Sequence, residues 1–254
     1  MNVADGTLLA AAGLLAGGVN AIAGGGSLIS FPAFLATGYP AVQANVTNTI
    51  ALFPGYAGSV VGGRTELEGQ GARARVTGIV GVVGAIGGAV LLLTTPGAVF
   101  QAVVPFLILM ACALLVVQPR LAQAVQRRAA SSDREEHHAP LLIVATLLAS
   151  VYGAYFGAGL GVMLLGVLGI FLSERLQRVN ALKNLLSLVI NAVALLAFSL
   201  FGPVAWPAAA VVATTSLAGG YLGARVARRI PSAALRALVV AYGVVVAVVL
   251  LVRG

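Results

Sequence analysis

The sequence predicts an all-α integral membrane protein built as an inverted-topology repeat, each half a broken helical hairpin plus three transmembrane helices. Three observations predict it. Of 254 residues, 60% are hydrophobic and 9% charged, and the mean hydropathy is +1.03, well outside the range of ordinary soluble domains. A glycine-rich segment, Ala16-Gly-Gly-Val-Asn-Ala-Ile-Ala-Gly-Gly-Gly-Ser27, returns in degraded form as Ala149-Ser-Val-Tyr-Gly-Ala-Tyr-Phe-Gly-Ala-Gly-Leu160. Thirteen of the fifteen Lys and Arg residues fall in four connections between apolar runs.

The start, Met1-Asn-Val-Ala-Asp-Gly6, carries no positive charge, so the first apolar run reads as a retained span and not as a cleaved secretory signal. Apolar runs fall at 7–36, 41–62, 76–93, 98–118, 140–172, 179–200, 204–224 and 237–252. A span needs about 20 residues. The runs 7–36 and 140–172 exceed one span by roughly a third, and each holds one of the glycine clusters. A glycine cluster in such a run breaks the helix and frees backbone N–H and C=O groups, which are tolerated only against protein or a wet cavity. Each long run reads as one tilted helix or as a hairpin.

Charge decides between these. Arg64, Arg73 and Arg75 lie in the first basic connection, Arg120, Arg127, Arg128 and Arg134 in the central one, Arg175 and Arg178 in the third, and Arg225, Arg228, Arg229 and Arg236 in the fourth. The connections 37–40, 94–97 and 201–207 carry no Lys or Arg. Basic residues in short loops collect on the cytoplasmic side. All four basic connections share that side only if both long runs return to the side they start from. This predicts a first transmembrane repeat over 1–118, a cytoplasmic linker over 119–139 and a second, inverted repeat over 140–254. Both termini are then outside a multi-pass protein of the cell membrane. An inverted repeat is an architecture of alternating access, and paired breaks in its two halves point to the binding site.

The tips Gly24-Gly25-Gly26-Ser27 and Gly157-Ala-Gly159-Leu-Gly161 would each begin a half-helix whose unpaired N–H groups attract an anion. Their alternative is close helix packing, since Gly153, Gly157 and Gly161 also form a small-residue ridge. Gly84 and Gly88, with no break nearby, read as packing residues. Asn20, Thr47, Asn48 and Asn184 are polar groups in apolar runs, which must face the interior and either contact a ligand or bond between helices. Asn45 and Asn180 carry the same burial constraint, and Asn191 reads as structural. Lys183, the only lysine, either holds an anion or snorkels to the headgroups.

Other chemistry is disfavoured. No Asp or Glu lies within a predicted span, which argues against an intramembrane carboxylate relay and against paired acid–base catalysis. No catalytic residue, metal site or cofactor is therefore expected. His137 and His138 form a bare pair in the linker, a weak metal pattern. The net charge of +8 comes from short connections without interleaved aromatics, so no nucleic acid partner is implied. Gly157 to Gly161 lacks the spacing and preceding strand of a dinucleotide fingerprint, and Gly24 to Ser27 lacks a phosphate-loop lysine. Cys112, the only cysteine, reads as a small packed residue.

Asn20-Ala-Ile-Ala-Gly-Gly-Gly-Ser-Leu-Ile-Ser-Phe-Pro32, Gly38-Tyr-Pro40 and Ala44-Asn-Val-Thr-Asn48, with weaker second copies at Tyr152 to Gly161 and Arg178-Val-Asn-Ala-Leu-Lys-Asn184, resemble the sulfite exporter TauE/SafE family of permeases. The family is also called the toluene sulfonate uptake permease family. The resemblance spans nearly the whole chain. It implies a secondary transporter of small sulfur-containing anions, of the sulfite, sulfonate or sulfoacetate class, with membrane lipid as its surroundings. A coupling ion and a homodimeric assembly are left open, as is the direction of transport. A passive anion channel and a non-transporting membrane scaffold are the competing classes. The second copy departs from the first, with Leu160 in place of Ser27 and Lys183 in place of Thr47.

Overall fold

In lipid a backbone must satisfy its own hydrogen bonds, so long runs of Ala, Leu, Val and Ile close into helices. The computed structural model describes residues 2–22, 25–62, 64–130, 139–172, 174–226 and 232–253. Gly24, Arg134, His137, His138, Arg228 and Arg229 lie outside the described residues. The described residues form ten α-helices and no strand: α1 (Val3–Ile22), α2 (Ser27–Ala36), α3 (Ala41–Gly62), α4 (Gly71–Thr94), α5 (Gly97–Ala130), α6 (Ala139–Tyr155), α7 (Leu160–Phe171), α8 (Leu176–Phe201), α9 (Trp206–Val226) and α10 (Ser232–Arg253). A 3₁₀ turn at Arg64–Leu67 joins α3 to α4.

Both long apolar runs are broken at their glycines. The arms are unequal: α1 has 20 residues and α2 only 10, while α6 has 17 and α7 has 12. At 1.5 Å per residue α1 reaches about 30 Å, a bilayer's hydrocarbon thickness, and α2 about half that. The first break therefore follows a span-length helix and lies close to the middle of the apolar run 7–36. Among the described residues five helices are long and apolar enough to cross a membrane: α1, α4, α5, α8 and α10. α3 and α9 have the length, but Asn, Thr, Ser, Gly and Tyr side chains dilute their apolarity. The boundary expected at residue 118 falls inside a continuous helix, for α5 runs through Pro119 to Ala130 and takes in the first part of the linker.

Glycine sets how the halves meet. A Cβ on Gly17 would lie 1.9 Å from the Ser216 carbonyl oxygen, and one on Gly219 would lie 1.9 Å from that of Leu14. Thus α1 and α9 touch backbone to backbone, as small residues permit in membranes. Contacts rise together along both, Gly13 with Val212 and Thr215, Gly17 with Ser216, Gly18 with Gly223, so the pair is parallel. On the other side Gly84 meets Leu147 and Ser150, and Gly88 meets Val151 and Ala154, making α4 and α6 parallel too. In contrast α3 and α8 run antiparallel. Thr47, near the start of α3, accepts the Ala205 N–H just past the end of α8 (3.0 Å), while Gln70, beyond the end of α3, donates to the Arg178 carbonyl at the start of α8 (3.2 Å). α5 packs on α10 where Ile108 and Cys112 meet Gly243. Exchanging the halves maps α1 on α9 onto α6 on α4, and maps α3 on α8 onto itself.

These contacts define two ends. The starts of α1 and α3 both stand at the N-terminal end of α9, and the starts of α6 and α8 both stand at the N-terminal end of α4. At the latter, basic end Glu174 pairs with Arg73 (2.7 Å) and Arg178 (3.0 Å), linking the two halves across partly exposed groups. Such a pair is worth about 1 kcal/mol or less.

Candidate functional site

The two breaks are built on residues that only glycine tolerates well. Gly25 has φ +86°, Gly157 +78° and Gly159 +79°, the left-handed region that a Cβ disfavours. Both tips lean on neighbouring residues of α5. A Cβ on Gly25 would come 2.7 Å from Leu115 Cδ1, and one on Gly159 would come 3.3 Å from Leu114 Cδ1. One turn of α5 therefore brings together segments more than a hundred residues apart in the chain.

The tips border a cavity of about 430 Å³. Asn20, Gly25, Ser27, Gly157, Gly159 and Gly161 line it, as do Lys183 and Asn184. Three helices add stripes at helical spacing: Lys183, Asn184 and Ser187 on α8, Leu52, Gly55, Tyr56 and Ser59 on α3, and Ser216, Leu217, Gly220 and Tyr221 on α9. Pro54 within α3 removes the N–H that would bond the Ile50 carbonyl, a local weakness in the helix beside the cavity. A Cβ on Gly161 would stand 4.0 Å from Lys183 Cδ, so the lysine stem lies along the first turn of α7. The Lys183 ammonium has no hydrogen-bond or ion-pair partner among the described residues. Among the described residues, no Asp or Glu lines the cavity.

The remaining sequence candidates sit elsewhere. Gly26 is buried, its N–H donated to Asn20 Oδ1 (2.8 Å), so Asn20 caps α2 from across the break while also facing the cavity. Thr47 and Asn48 are buried away from it: Thr47 holds the Ala205 N–H, and Asn48 accepts from the Ser30 hydroxyl. Asn45 donates to the Tyr155 carbonyl (2.9 Å) and Asn191 to that of Ser187 (2.8 Å). Gly24 is outside the described residues. Sequence reasoning missed the α3 and α9 stripes. Their sign was a Gly–Tyr pair with a nearby Ser in each apolar helix, Gly55-Tyr56 and Gly220-Tyr221.

The cavity is one-sided. Its α3 and α9 residues come from the later halves of those helices and its α8 residues from the earlier half, all toward the basic end, where Gly55, Gly58 and Ser59 are exposed. Aromatic rings fill the other direction. Phe31, one turn past Ser27, meets Phe156 edge to face (5.4 Å, 85°), immediately before Gly157. Phe100 at the start of α5 packs on Tyr155 (5.5 Å), and Phe34 on Tyr39 (5.9 Å). Phe31, Phe34, Phe100 and Phe156 are all buried.

The family model described as "Sulfite exporter TauE/SafE" matches residues 9–250. A "Probable membrane transporter protein ORF9" of Sinorhizobium is 26% identical over 246 residues, covering 94% of this chain and 90% of its own. A "Probable membrane transporter protein" of Haemophilus influenzae is 26% identical over 86% of this chain and 83% of its own. The corresponding values for the Escherichia coli "Probable membrane transporter protein YfcA" are 26%, 85% and 77%. No solved structure matches significantly.

Proposed function

Since the chain belongs to the sulfite exporter TauE/SafE family of membrane transporters, we propose that it carries small sulfur-containing anions across the bacterial inner membrane by alternating access, each anion held between the two glycine breaks. One observation carries this reading. Two chain breaks, a lysine without a partner among the described residues and neutral hydrogen-bond donors converge on a cavity that no described carboxylate lines. The N-termini of α2 and α7 begin at those breaks, and each adds a partial positive charge of about half a unit. Lys183 supplies a full one. The asparagine and serine donors Asn20, Asn184 and Ser27 fit the several acceptor oxygens of a sulfite or sulfonate head.

Parallel α1 and α9, parallel α4 and α6, and antiparallel α3 and α8 support an inverted repeat whose long runs double back. With Arg64, Arg120 and Arg175 cytoplasmic by the charge rule, the cavity faces the cytoplasm and the Phe31–Phe156 contact closes the outer side. Release outward requires those rings to part while the basic end shuts. The shut aromatic side favours a carrier over an open channel. Counterflow in proteoliposomes tests this: a carrier drives labelled sulfite or sulfonate uptake against its gradient when preloaded with unlabelled substrate, and a channel does not. Orientation has its own test in a Cys112→Ala background. Outside-added thiol reagent is expected to label cysteines at 38 and 202 and to miss one at 128; the reverse pattern would refute the topology.

A further inference from the structure

Two residues that line the cavity carry polar groups without a partner among the described residues. One is the Lys183 ammonium on α8. The other is Gln118 Oε1 on α5, a buried amide oxygen that accepts no hydrogen bond there. An unpaired buried oxygen costs free energy, and so does a charge taken out of water. Any state of the protein that shuts water out of the cavity must provide for both.

Glycine notches along α7 place the two groups. On α5, Leu114 lies against Gly159, Leu121 against Gly166 and Val125 against Gly169, so α5 and α7 run side by side in the same direction. Gln118, between Leu114 and Leu121, is therefore level with the first turn of α7. The Lys183 stem lies along that same turn, at Gly161. A lysine from α8 and an amide from α5 thus flank one turn of α7 and line one cavity. Pro119 follows Gln118, and its missing N–H leaves the Leu115 carbonyl without its helical partner, which loosens α5 where the amide sits.

A carrier has to bring its empty site back across the membrane. With an anion bound, the ammonium has a counter-charge. Once the anion is released and the cavity closes empty, a lone ammonium would be buried with nothing to meet it. Resting on the anion-carrier reading, we propose that in the closed, empty carrier Gln118 Oε1 accepts a hydrogen bond from the Lys183 ammonium. The pairing satisfies both groups and gives way when an anion enters. Gln118 is then a positioning residue for the return of the empty site, acting through Lys183 and not on the anion.

Proteoliposomes containing the full-length protein separate the two limbs of the cycle. Net efflux of labelled sulfite or methanesulfonate into anion-free buffer needs the empty carrier to return, and exchange against the same unlabelled anion outside does not. Gln118→Met keeps the side chain's length and removes the unpaired oxygen, a change that the fold tolerates. It is expected to lower net efflux, relative to exchange, by about tenfold or more, the effect of one lost hydrogen bond to a charged group. Adding Lys183→Gln removes the charge that needed a partner, so at saturating anion the ratio of net efflux to exchange should recover. Equal loss of both fluxes in Gln118→Met would overturn the pairing, since the amide would then serve the anion or the fold. An unchanged ratio in Gln118→Met, or a ratio that stays low in the double variant, would overturn it too. So would an unaltered protein that exchanges the anion yet gives no net efflux, whatever the variants' stability. If the unaltered protein exchanges neither anion, the anion-carrier reading itself falls and takes the pairing with it.

Discussion

The first break and the second have similar sequences and opposite local economies of hydrogen bonding. At the first, Asn20 reaches across the gap to the Gly26 N–H, and the following helix buries Thr47 and Asn48 in bonds to Ala205 and Ser30. At the second, Gly153 stands where Asn20 would, two left-handed glycines make the turn, and the Tyr152 hydroxyl donates to the Ala158 carbonyl. There the positions matching Thr47 and Asn48 are Lys183 and Asn184, and both face the cavity. The first half commits Thr47 and Asn48 to hydrogen bonds within the protein. The other leaves its matching groups open. Matched helix pairings thus go with an asymmetric cavity, in which Lys183 of the second half is the one lysine.

Substitutions at the tips should have the largest effect. Gly159→Leu forces a side chain into a left-handed φ of +79° and against Leu114 and Ala111, and Gly25→Leu does the same at +86° against Leu115. Both are expected to abolish counterflow while some folded protein still elutes as a single species. Counterflow that survives Gly25→Leu and not Gly159→Leu would confine the site to the second half. Gly161→Val is gentler, since its Cβ meets only Lys183 Cδ at 4.0 Å; anion affinity should fall by about tenfold with little change in melting temperature.

Changes in the first half should act on stability instead. Thr47→Val strands the buried Ala205 N–H, and Asn48→Leu removes the acceptor for Ser30, each costing about 1–3 kcal/mol. Melting temperature should drop at unchanged anion affinity. Weaker binding by a folded Thr47→Val protein would return that residue to the site. Smallest is Asn20→Ala, which loses the cap on Gly26 at about 0.5–2 kcal/mol and weakens binding only a few-fold.

Much of this was legible in the sequence. Apolar run lengths gave helices, the glycine clusters gave both breaks, and eight of the twelve candidate site residues line one cavity. What could not be read was which side of a helix each polar residue faces. Thr47 and Lys183 occupy matching places, yet one turns to a backbone N–H and the other to the cavity. That choice depends on a neighbouring segment, at Ala205, remote in sequence. The Tyr56 and Tyr221 walls escaped notice because a Gly–Tyr pair is a weak signal inside an apolar helix. The extension of α5 past Pro119 was hidden for another reason: Gln, Arg and Ala after it are good helix formers once outside the apolar run.

Lys183 tests the asymmetry most directly. Affinity for the best-bound anion is measured in the unaltered protein, in Lys183→Gln and in Lys183→Arg. Loss of a charge-assisted hydrogen bond should weaken Lys183→Gln by roughly 1–3 kcal/mol, and Lys183→Arg should recover part of it, because a planar fork fits a different geometry. A folded Lys183→Gln protein that binds the anion with unaltered affinity would contradict a site charged from the second half and leave Lys183 as a side chain reaching for the headgroups.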